Sequence, residues 1–128
     1  MIKGTGIDII EIERISKAVK NQRFVKRIFT KNEIVYFKSI NNNIYTIAGN
    51  FAAKEAVVKT FGTGIRGFKW TDVEIIRDKL GKPMVILYGK AKEIAEEKGI
   101  SNIELSISHC RQYAVAQAIG IEDNREIQ

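Results

Sequence analysis

Hydrophobic and polar residues follow two different periods in the first third of the chain. Alternation of β-branched residues predicts a strand over residues 3–10. A spacing of three to four residues then predicts one helix over 12–27, with its inward positions at Ile12, Ile15, Val19 and Phe24. Residues 30–33, Thr-Lys-Asn-Glu, match a capping box. We therefore expect a helix from there to about Ser39, ended by the three asparagines at 41–43.

The middle of the chain predicts a second long helix and a pair of strands. The alanine-rich helix covers residues 45–61 and should end at Gly62. The glycines that follow indicate a flexible loop; they are Gly62, Gly64 and Gly67. Alternation predicts strands over 70–77 and 84–88, joined by a turn at 79–83. Residues 89–98 are predicted to be helical.

Two alternating segments near the end of the chain predict an antiparallel hairpin with His109 near its turn. The first segment carries Ile103, Leu105 and Ile107, and the second carries Tyr113, Val115, Gln117 and Ile119. This mixture of helices and hairpins predicts an α+β fold, with an antiparallel sheet and packed helices, and not a doubly wound parallel sheet. The length of 128 residues predicts a single domain over 1–128, with a frayed C-terminal tail at about 121–128.

The composition excludes several classes of protein. Hydrophobic residues make up 45% of the chain and charged residues 28%, which argues against intrinsic disorder. No apolar run approaches the roughly 18 residues that a membrane span needs. The single cysteine, Cys110, cannot form an internal disulfide, so we expect a reducing cytoplasm. One histidine and one cysteine also exclude a zinc site built from these residues within one chain.

The charge indicates an anionic partner. The chain has 21 basic and 15 acidic residues, so its formal net charge is 21 − 15 = +6. Such a chain favours nucleic acid, anionic lipid, a phosphorylated small molecule or an acidic protein. Phe24, Ile28 and Phe29 lie among seven basic residues, which predicts a docking surface with apolar anchors. A solvated helix face explains the charges equally well. The seven are Arg14, Lys17, Lys20, Arg23, Lys26, Arg27 and Lys31.

An acidic residue, Asp8, interrupts the apolar run of the first strand. Because side chains alternate along a strand, Asp8 should point away from the face of Ile7 and Ile9. A buried carboxylate is costly unless a positive charge meets it. Taken alone, however, Asp8 is explained more simply by an edge strand or a turn.

Glu55 and Lys59 lie four residues apart in the second long helix. They could form a surface ion pair, yet the residues around Glu55 are mostly apolar: Phe51, Ala52, Ala56 and Val58. A carboxylate on such a packed side needs a cation, which is either Lys59 or a metal ion shared with Asp8. Mg²⁺ suits the second alternative, because it takes one or two carboxylates, keeps waters and binds substrate phosphates. Lys59 would then meet a phosphate as a point charge.

Two further motifs carry weaker signals. Ser108 and His109 are adjacent on a strand, so they should point to opposite faces. No G-x-S-x-G motif is present either, which argues against a serine hydrolase. His109 either forms a hydrogen bond near the turn or binds a ligand phosphate. The glycine loop after the long helix lacks the strand–GxxxxGK–helix order of a P-loop.

The motifs together resemble the bacterial holo-acyl-carrier-protein synthases, which are small phosphopantetheinyl transferases. The matching segments occur in one order from Ile2 to Ala118: GIDIIEIERI, RFVKRIFTKNE, FAAKEAVVKTFGTG, LGKP, SISH and YAVA. The resemblance implies a 4'-phosphopantetheinyl transferase-like fold that forms a homotrimer with active sites at the subunit interfaces. It also implies transfer of 4'-phosphopantetheine from coenzyme A to a serine of apo acyl carrier protein, with adenosine 3',5'-bisphosphate as the second product.

The resemblance also implies roles for particular residues. Asp8 and Glu55 match the magnesium-binding carboxylates, and Lys59 matches the lysine near the transferred phosphate, so Glu55 and Lys59 are the expected catalytic residues. The implied coenzyme A site is lined by Lys59, Gly62, Gly64, Pro83, Ser108 and His109. The helical surface that would meet the acidic carrier protein contains Arg14, Arg23, Phe24 and Arg27.

Two positions depart from the family pattern. Asn50 stands where the family often has Arg, which removes one expected cation near substrate phosphate, and Cys110 stands where a small polar residue is usual.

Two other classes of protein also fit part of the sequence. A nucleic-acid-binding module fits the pI of about 9.5 but leaves Asp8 and Glu55 unexplained. A structural or regulatory oligomer would use the basic helix for docking alone.

Overall fold

A computed structural model describes residues 1–123 of the chain. Five helices and five strands lie in this range, with one short 3₁₀ turn at Trp70–Asp72. In chain order they are β1 (Ile2–Glu11), α1 (Ile12–Ala18), α2 (Gln22–Ile28), α3 (Lys31–Ser39), α4 (Ile44–Thr60), β2 (Val73–Arg77), β3 (Pro83–Leu87), α5 (Gly89–Glu97), β4 (Asn102–His109) and β5 (Tyr113–Ile121).

The strands form two antiparallel sheets around α4. Strands β1, β5 and β4 make the larger sheet in that order, and β2 pairs with β3 in a separate sheet. Helix α4 packs against both sheets, and 12 of its 17 residues are buried. The predicted α+β fold and the predicted hairpin before and after His109 are therefore confirmed. No helix within residues 1–123 is long and apolar enough to span a membrane.

The single helix predicted over 12–27 is wrong, because the chain forms two helices there. Helix α1 ends at Ala18, and α2 begins at Gln22 after Asn21. The Asn21 side chain accepts a hydrogen bond from the backbone N–H of Arg23 at 2.9 Å, so it caps the new helix. The strand predicted over 70–77 is also shorter, since its first three residues form the 3₁₀ turn. Of the predicted tail, Ile121 ends β5, while residues 124–128 lie outside the described residues.

Two glycines let β1 lie directly against the backbone of α4. A Cβ atom at Gly4 would overlap the carbonyl oxygen of Thr60, and one at Gly6 would overlap that of Ala56. Gly4, Gly6 and Asp8 are each two residues apart, so they share the face of β1 that meets the helix. The close approach of the two backbones therefore brings the Asp8 side chain to α4.

The opposite side of α4 is fixed by a buried lysine. Lys54 is fully buried; its Nζ lies 2.7 Å from Glu33 Oε1 and donates to the carbonyl oxygen of Val73 at 2.5 Å. Glu33 also accepts from the backbone N–H groups of Thr30 at 2.8 Å and Ile75 at 3.1 Å. The predicted capping box at Thr30 and Glu33 is thus confirmed, and its carboxylate also connects α3 to α4 and β2.

Candidate active site

Asp8, Glu55 and Lys59 meet between β1 and α4. Asp8 points toward the helix, whereas Ile7 and Ile9 point away and are about 60% exposed, as alternation predicted. Lys59 Nζ donates to the backbone oxygen of Ile7 at 2.8 Å and lies 3.3 Å from Asp8 Oδ1. The Asp8 side chain is only 11% exposed, while that of Lys59 is 53% exposed. Lys59 is therefore held against β1 by these contacts and is still exposed enough to meet a ligand from solvent.

The environment of Glu55 favours the protonated form of its carboxyl group. Its pKa is raised to about 7, first because the group is half-buried and then because the Asp8 carboxylate lies beside it. Lys59 and Arg14 act in the opposite direction and lower this pKa. Arg14, on α1, is thereby placed close to the same site. The two cations offset only part of the rise, so Glu55 keeps its proton to a higher pH than an ordinary glutamate.

One atom of this site lacks a partner. Asp8 Oδ2 is buried and has no hydrogen-bond partner among the described residues while Glu55 is ionised; only a protonated Glu55 would donate to Asp8. A buried polar oxygen without a partner is costly, and a divalent cation would satisfy it. Residues 1–123 contain no cluster of three or more His, Cys, Asp and Glu side chains that could hold a metal. A cation at Asp8 and Glu55 would therefore take its remaining ligands from water or substrate. Mg²⁺ commonly binds in this way.

A cleft opens beyond the C-terminal end of α4, one turn after Lys59. Gly62 and Gly64 both have positive φ, of 75° and 68°, so the chain turns here through conformations that favour glycine. The cleft measures about 450 Å³ and combines this loop with the end of α5. Its lining is Gly62, Thr63, Arg66, Ile94, Glu97 and Lys98. Sequence reasoning did not identify Arg66 and Lys98, because only the fold brings α5 next to the loop.

The remaining residues predicted for a coenzyme A site lie elsewhere in the chain. Ser108 pairs with Val115 on the face of the sheet that points away from α4, and His109 lies on the helix-facing side. The two side chains therefore point apart, as expected. Pro83 begins β3, where it pairs with Arg77 in the smaller sheet. No hydrogen bond or ion pair of the described residues connects His109 or Pro83 with Asp8 and Glu55.

The basic surface differs from its prediction in one respect. All seven basic residues are exposed, but Ile28 and Phe29 are 2% exposed and belong to the core. The prediction that they anchor a partner is wrong, since α2 packs that side against the rest of the protein. Phe24 is only half-buried, and its ring lies 6.0 Å from that of Phe51. Of the three proposed apolar anchors, Phe24 alone is available to a partner.

Asn50, which departs from the family pattern, is fully buried and faces the smaller sheet. Its amide nitrogen donates to the backbone oxygen of Ile75 at 3.4 Å, and its oxygen accepts from Arg77 Nη2 at 2.7 Å. The guanidinium of Arg77 thus lies directly beside the position where the family often has its own arginine. Cys110 is exposed and is a free thiol.

Comparison with known proteins gives a consistent result over nearly the whole chain. Residues 4–118 match the model of the 4'-phosphopantetheinyl transferase superfamily. The holo-[acyl-carrier-protein] synthase of Alkaliphilus oremlandii is 57% identical over 122 residues, which are 94% of this chain and 100% of that protein.

Solved structures show the same fold. The acyl carrier protein synthase of Plasmodium yoelii with ADP bound has a TM-score of 0.86 at 40% identity, over 97% of this chain and 98% of that one. The Helicobacter pylori holo-[acyl-carrier-protein] synthase in complex with coenzyme A has a TM-score of 0.80 at 33% identity, over 91% and 99%.

Proposed function

The chain belongs to the 4'-phosphopantetheinyl transferase superfamily, and we propose that it transfers 4'-phosphopantetheine from coenzyme A to a serine of apo acyl carrier protein. The products are holo acyl carrier protein and adenosine 3',5'-bisphosphate, and the expected setting is fatty acid biosynthesis in the cytoplasm. The observation that carries the proposal is the meeting of Asp8 and Glu55 beside Lys59, with a buried carboxylate oxygen left unpartnered.

Asp8 and Glu55 are the residues that would hold Mg²⁺. The orphaned Asp8 Oδ2 and the raised pKa of Glu55 support this assignment, because a divalent cation between the two acids would give the oxygen a partner and would offset the repulsion that contributes to the raised pKa. When bound, the ion supplies charge neutralisation to the pyrophosphate of coenzyme A.

Lys59 and Glu55 are the proposed catalytic residues. The serine oxygen of the carrier protein bonds to the phosphorus that carries pantetheine, and the bond from that phosphorus to adenosine 3',5'-bisphosphate breaks. Lys59, held by the backbone oxygen of Ile7, donates to the transferred phosphoryl group and stabilises its charge. The serine must also lose its proton. Glu55, a carboxylate beside the proposed phosphoryl site, is the candidate acceptor within the chain.

Complete sites are proposed to form between copies of the chain in a homotrimer. His109 contacts the first turn of α4, while Gly62 follows its last turn, and 17 helical residues span about 25 Å. One coenzyme A molecule therefore reaches both ends more readily where two copies meet. The sheet face that points away from α4 offers an apolar contact surface for such copies: Ile7, Ile9, Tyr113, Val115 and Ile119.

Sedimentation measures the oligomeric state and transfer assays measure the activity, and the two measurements together test the proposed trimer. Ile9→Glu should dissociate the assembly and reduce transfer, because it places a charge within the apolar contact. Val35→Glu is the matched control, since Val35 is equally exposed on α3 and lies outside the sheet. A wild-type protein that sediments as an active monomer would overturn this part of the proposal.

The carrier protein is proposed to dock on α1 and α2. Arg14, Arg23 and Arg27 supply exposed positive charge, Phe24 supplies an apolar contact, and Arg14 lies near Glu55. Arg27→Glu should raise the KM for the carrier about tenfold and leave the KM for coenzyme A nearly unchanged. Lys92→Glu on α5 makes the same charge change away from this surface and should alter neither value. An equal rise in both variants would mean that net charge, and not docking, is responsible.

Mass spectrometry tests the whole function in one reaction. Purified apo acyl carrier protein, coenzyme A and Mg²⁺ are incubated with the protein, and the carrier should gain the mass of one phosphopantetheine group. An apo carrier whose acceptor serine is replaced by alanine is the matched substrate control. An unmodified carrier after prolonged incubation would overturn the proposed reaction and favour a structural or regulatory role.

A further inference from the structure

An aromatic stack at the N-terminal end of α4 has no role in the reaction as described. The ring of Tyr45 lies parallel to the imidazole of His109, with the ring centroids 4.9 Å apart and an angle of 22° between the planes. Tyr45 is half-buried in the first turn of α4, and His109 is exposed at the last position of β4. The contact joins residues 64 positions apart in sequence, so no local pattern predicts it.

The backbone geometry explains why the two rings meet. Tyr45 and Gly49 are four residues apart and share one face of α4, while Ile107 and His109 are two apart and share one face of β4. Gly49 packs tightly on Ile107, because a Cβ at Gly49 would lie 2.9 Å from a methyl carbon of Ile107. The same close approach, one helical turn earlier, places Tyr45 over His109.

The helix cap fixes the position of the tyrosine. The side chain of Asn43 accepts hydrogen bonds from the backbone N–H groups of Tyr45 at 3.0 Å and Thr46 at 3.3 Å. The imidazole of His109, in contrast, makes no hydrogen bond to another described residue, and its ring contact is with Tyr45. The stack covers one face of the imidazole, and the in-plane ring nitrogens of this exposed residue have no partner among the described residues, so they can accept or donate a hydrogen bond to a ligand.

We propose that Tyr45 is a positioning residue that holds the His109 imidazole ready to hydrogen-bond an anionic group of coenzyme A. The inference rests on the proposed function, since it requires that His109 contacts coenzyme A. The free imidazole would otherwise rotate at the end of a strand, and binding would have to immobilise it. Because the stack orders the ring beforehand, its removal should weaken coenzyme A binding without changing the chemical step.

Proton NMR tests the stack independently of any activity. The chain contains one histidine, so its ring protons give one unambiguous set of signals. The ring current of Tyr45 should shift these signals upfield in the wild type and in Tyr45→Phe, and Tyr45→Leu should move them toward unstacked values. Identical signals in the wild type and Tyr45→Leu would overturn the stack.

Binding and kinetics then test its purpose. Tyr45→Leu should raise the calorimetric Kd and the KM for coenzyme A about three- to tenfold, while kcat and the KM for the carrier stay nearly constant. Tyr45→Phe, which keeps a ring, should restore the wild-type values.

His109→Ala separates a failure of this inference from a failure of the proposed function. If His109→Ala weakens coenzyme A binding and Tyr45→Leu does not, the positioning role is wrong and the function stands. If neither variant changes binding, both the role of Tyr45 and the proposed contact of His109 are wrong. In the expected case, adding Tyr45→Leu to His109→Ala weakens binding no further, because Tyr45 acts only through the imidazole.

Discussion

Helix α4 carries two clusters of the same formal composition on its two sides. Asp8, Glu55 and Lys59 meet on the side of β1, and Glu33, Glu74 and Lys54 meet on the side of β2. Each cluster contains two carboxylates and one lysine, and Lys54 and Glu55 are neighbours in sequence. Composition and charge therefore do not distinguish the two sites, and the difference must lie in burial and in hydrogen bonding.

The buried cluster is complete, because all four of its carboxylate oxygens have partners. Glu33 accepts from Lys54 and from two backbone N–H groups. The two oxygens of Glu74 accept from the hydroxyl groups of Thr30 at 2.5 Å and Tyr88 at 2.8 Å. Burial still raises the pKa of Glu33 and lowers that of Lys54, although each group opposes the shift of the other. Such a cluster fixes α3, α4 and β2 together.

The open cluster is incomplete. Lys59 engages one oxygen of Asp8, the other oxygen has no partner, and the pKa of Glu55 is raised to about 7. The comparison teaches that a site for an added ion or substrate can be recognised by polar atoms that lack a hydrogen-bonding or charged partner. Four predictions test whether the buried cluster is structural and the open cluster functional.

The largest effect on folding is expected at Lys54. Lys54→Met leaves the buried carboxylate of Glu33 without its cation, so the free energy of unfolding should fall by about 3–5 kcal/mol. Denaturant unfolding at neutral pH measures the change. The loss should shrink at lower pH, because protonation removes the uncompensated charge.

Two controls make this result specific. The double variant Glu33→Gln/Lys54→Met removes both charges and should recover much of the stability. Lys17→Met breaks the exposed pair between Lys17 and Glu13 and should cost less than about 0.5 kcal/mol. Equal losses in Lys54→Met and Lys17→Met would show that the buried cluster does not have the structural role assigned to it.

Substitutions in the open cluster should reduce activity without reducing stability, whereas the substitution at Lys54 mainly reduces stability. Asp8→Asn and Glu55→Gln should each reduce phosphopantetheine transfer by about 10³-fold, or about 4 kcal/mol, because each removes a charge that would hold Mg²⁺. The free energy of unfolding should stay constant or rise, since each change relieves repulsion between the two acids. Transfer rates at saturating Mg²⁺ and urea unfolding measure the two quantities. Full activity in either variant would overturn the metal assignment.

A smaller effect is expected where β1 contacts α4. Gly6→Ala forces a methyl group against the carbonyl oxygen of Ala56, so it should cost about 1–3 kcal/mol of stability and displace Asp8 from Glu55. Gly120→Ala is the matched control, because the three atoms nearest its added methyl group belong to the Ile100 side chain at 3.0–3.3 Å and not to backbone, and because Gly120 is far from the site in sequence and pairs with Gly4 on β1. Urea unfolding and the Mg²⁺ dependence of transfer measure both consequences. A Gly6→Ala protein with unchanged Mg²⁺ dependence would show that Gly6 does not set the geometry of the site.

The sequence predicted the open cluster better than the buried one. The strand at β1 was recognisable from its alternation and the helix at α4 from its alanine content. An acid in an apolar strand and a charge pair in a packed helix then indicated Asp8, Glu55 and Lys59, and the choice of a shared metal came from the family resemblance. The buried cluster was not predicted, because Glu33, Lys54 and Glu74 lie on three elements and their partners include backbone groups. Only the capping box gave a local signal for Glu33.

Other features lay beyond sequence reasoning for similar reasons. The break between α1 and α2 depends on one capping asparagine, Asn21, inside an otherwise helical pattern. The spacing of Gly4, Gly6 and Asp8 did contain a signal, since two small residues and an acid at every second position mark a strand face that approaches another backbone. The burial of Ile28 and Phe29 required knowing which side of α2 meets the core.

The smallest predicted effect concerns the pH dependence of the metal-free protein. The pKa of Glu55 is 4.5 ordinarily and about 7 when folded, so between these values the folded chain retains a proton that the unfolded chain has lost. The stability of the wild type should therefore fall as pH rises through this window, and Glu55→Gln should lack this component. Unfolding in the presence of a chelator, from pH 5 to pH 8, compares the two proteins.

Mg²⁺ should oppose this loss above pH 7, because it binds the deprotonated pair and stabilises the folded state. Asp8→Asn provides a second test of the cause. It removes the neighbouring charge but leaves Glu55 half-buried, so the slope should become smaller without vanishing. The buried cluster is present in all of these proteins, so its contribution to the free energy of unfolding cancels when two of them are compared. If the free energy of unfolding depends on pH in the same way in the wild type and in Glu55→Gln, repulsion between the two acids is relieved without a metal. The contrast between the two sides of α4 would then lose its electrostatic basis.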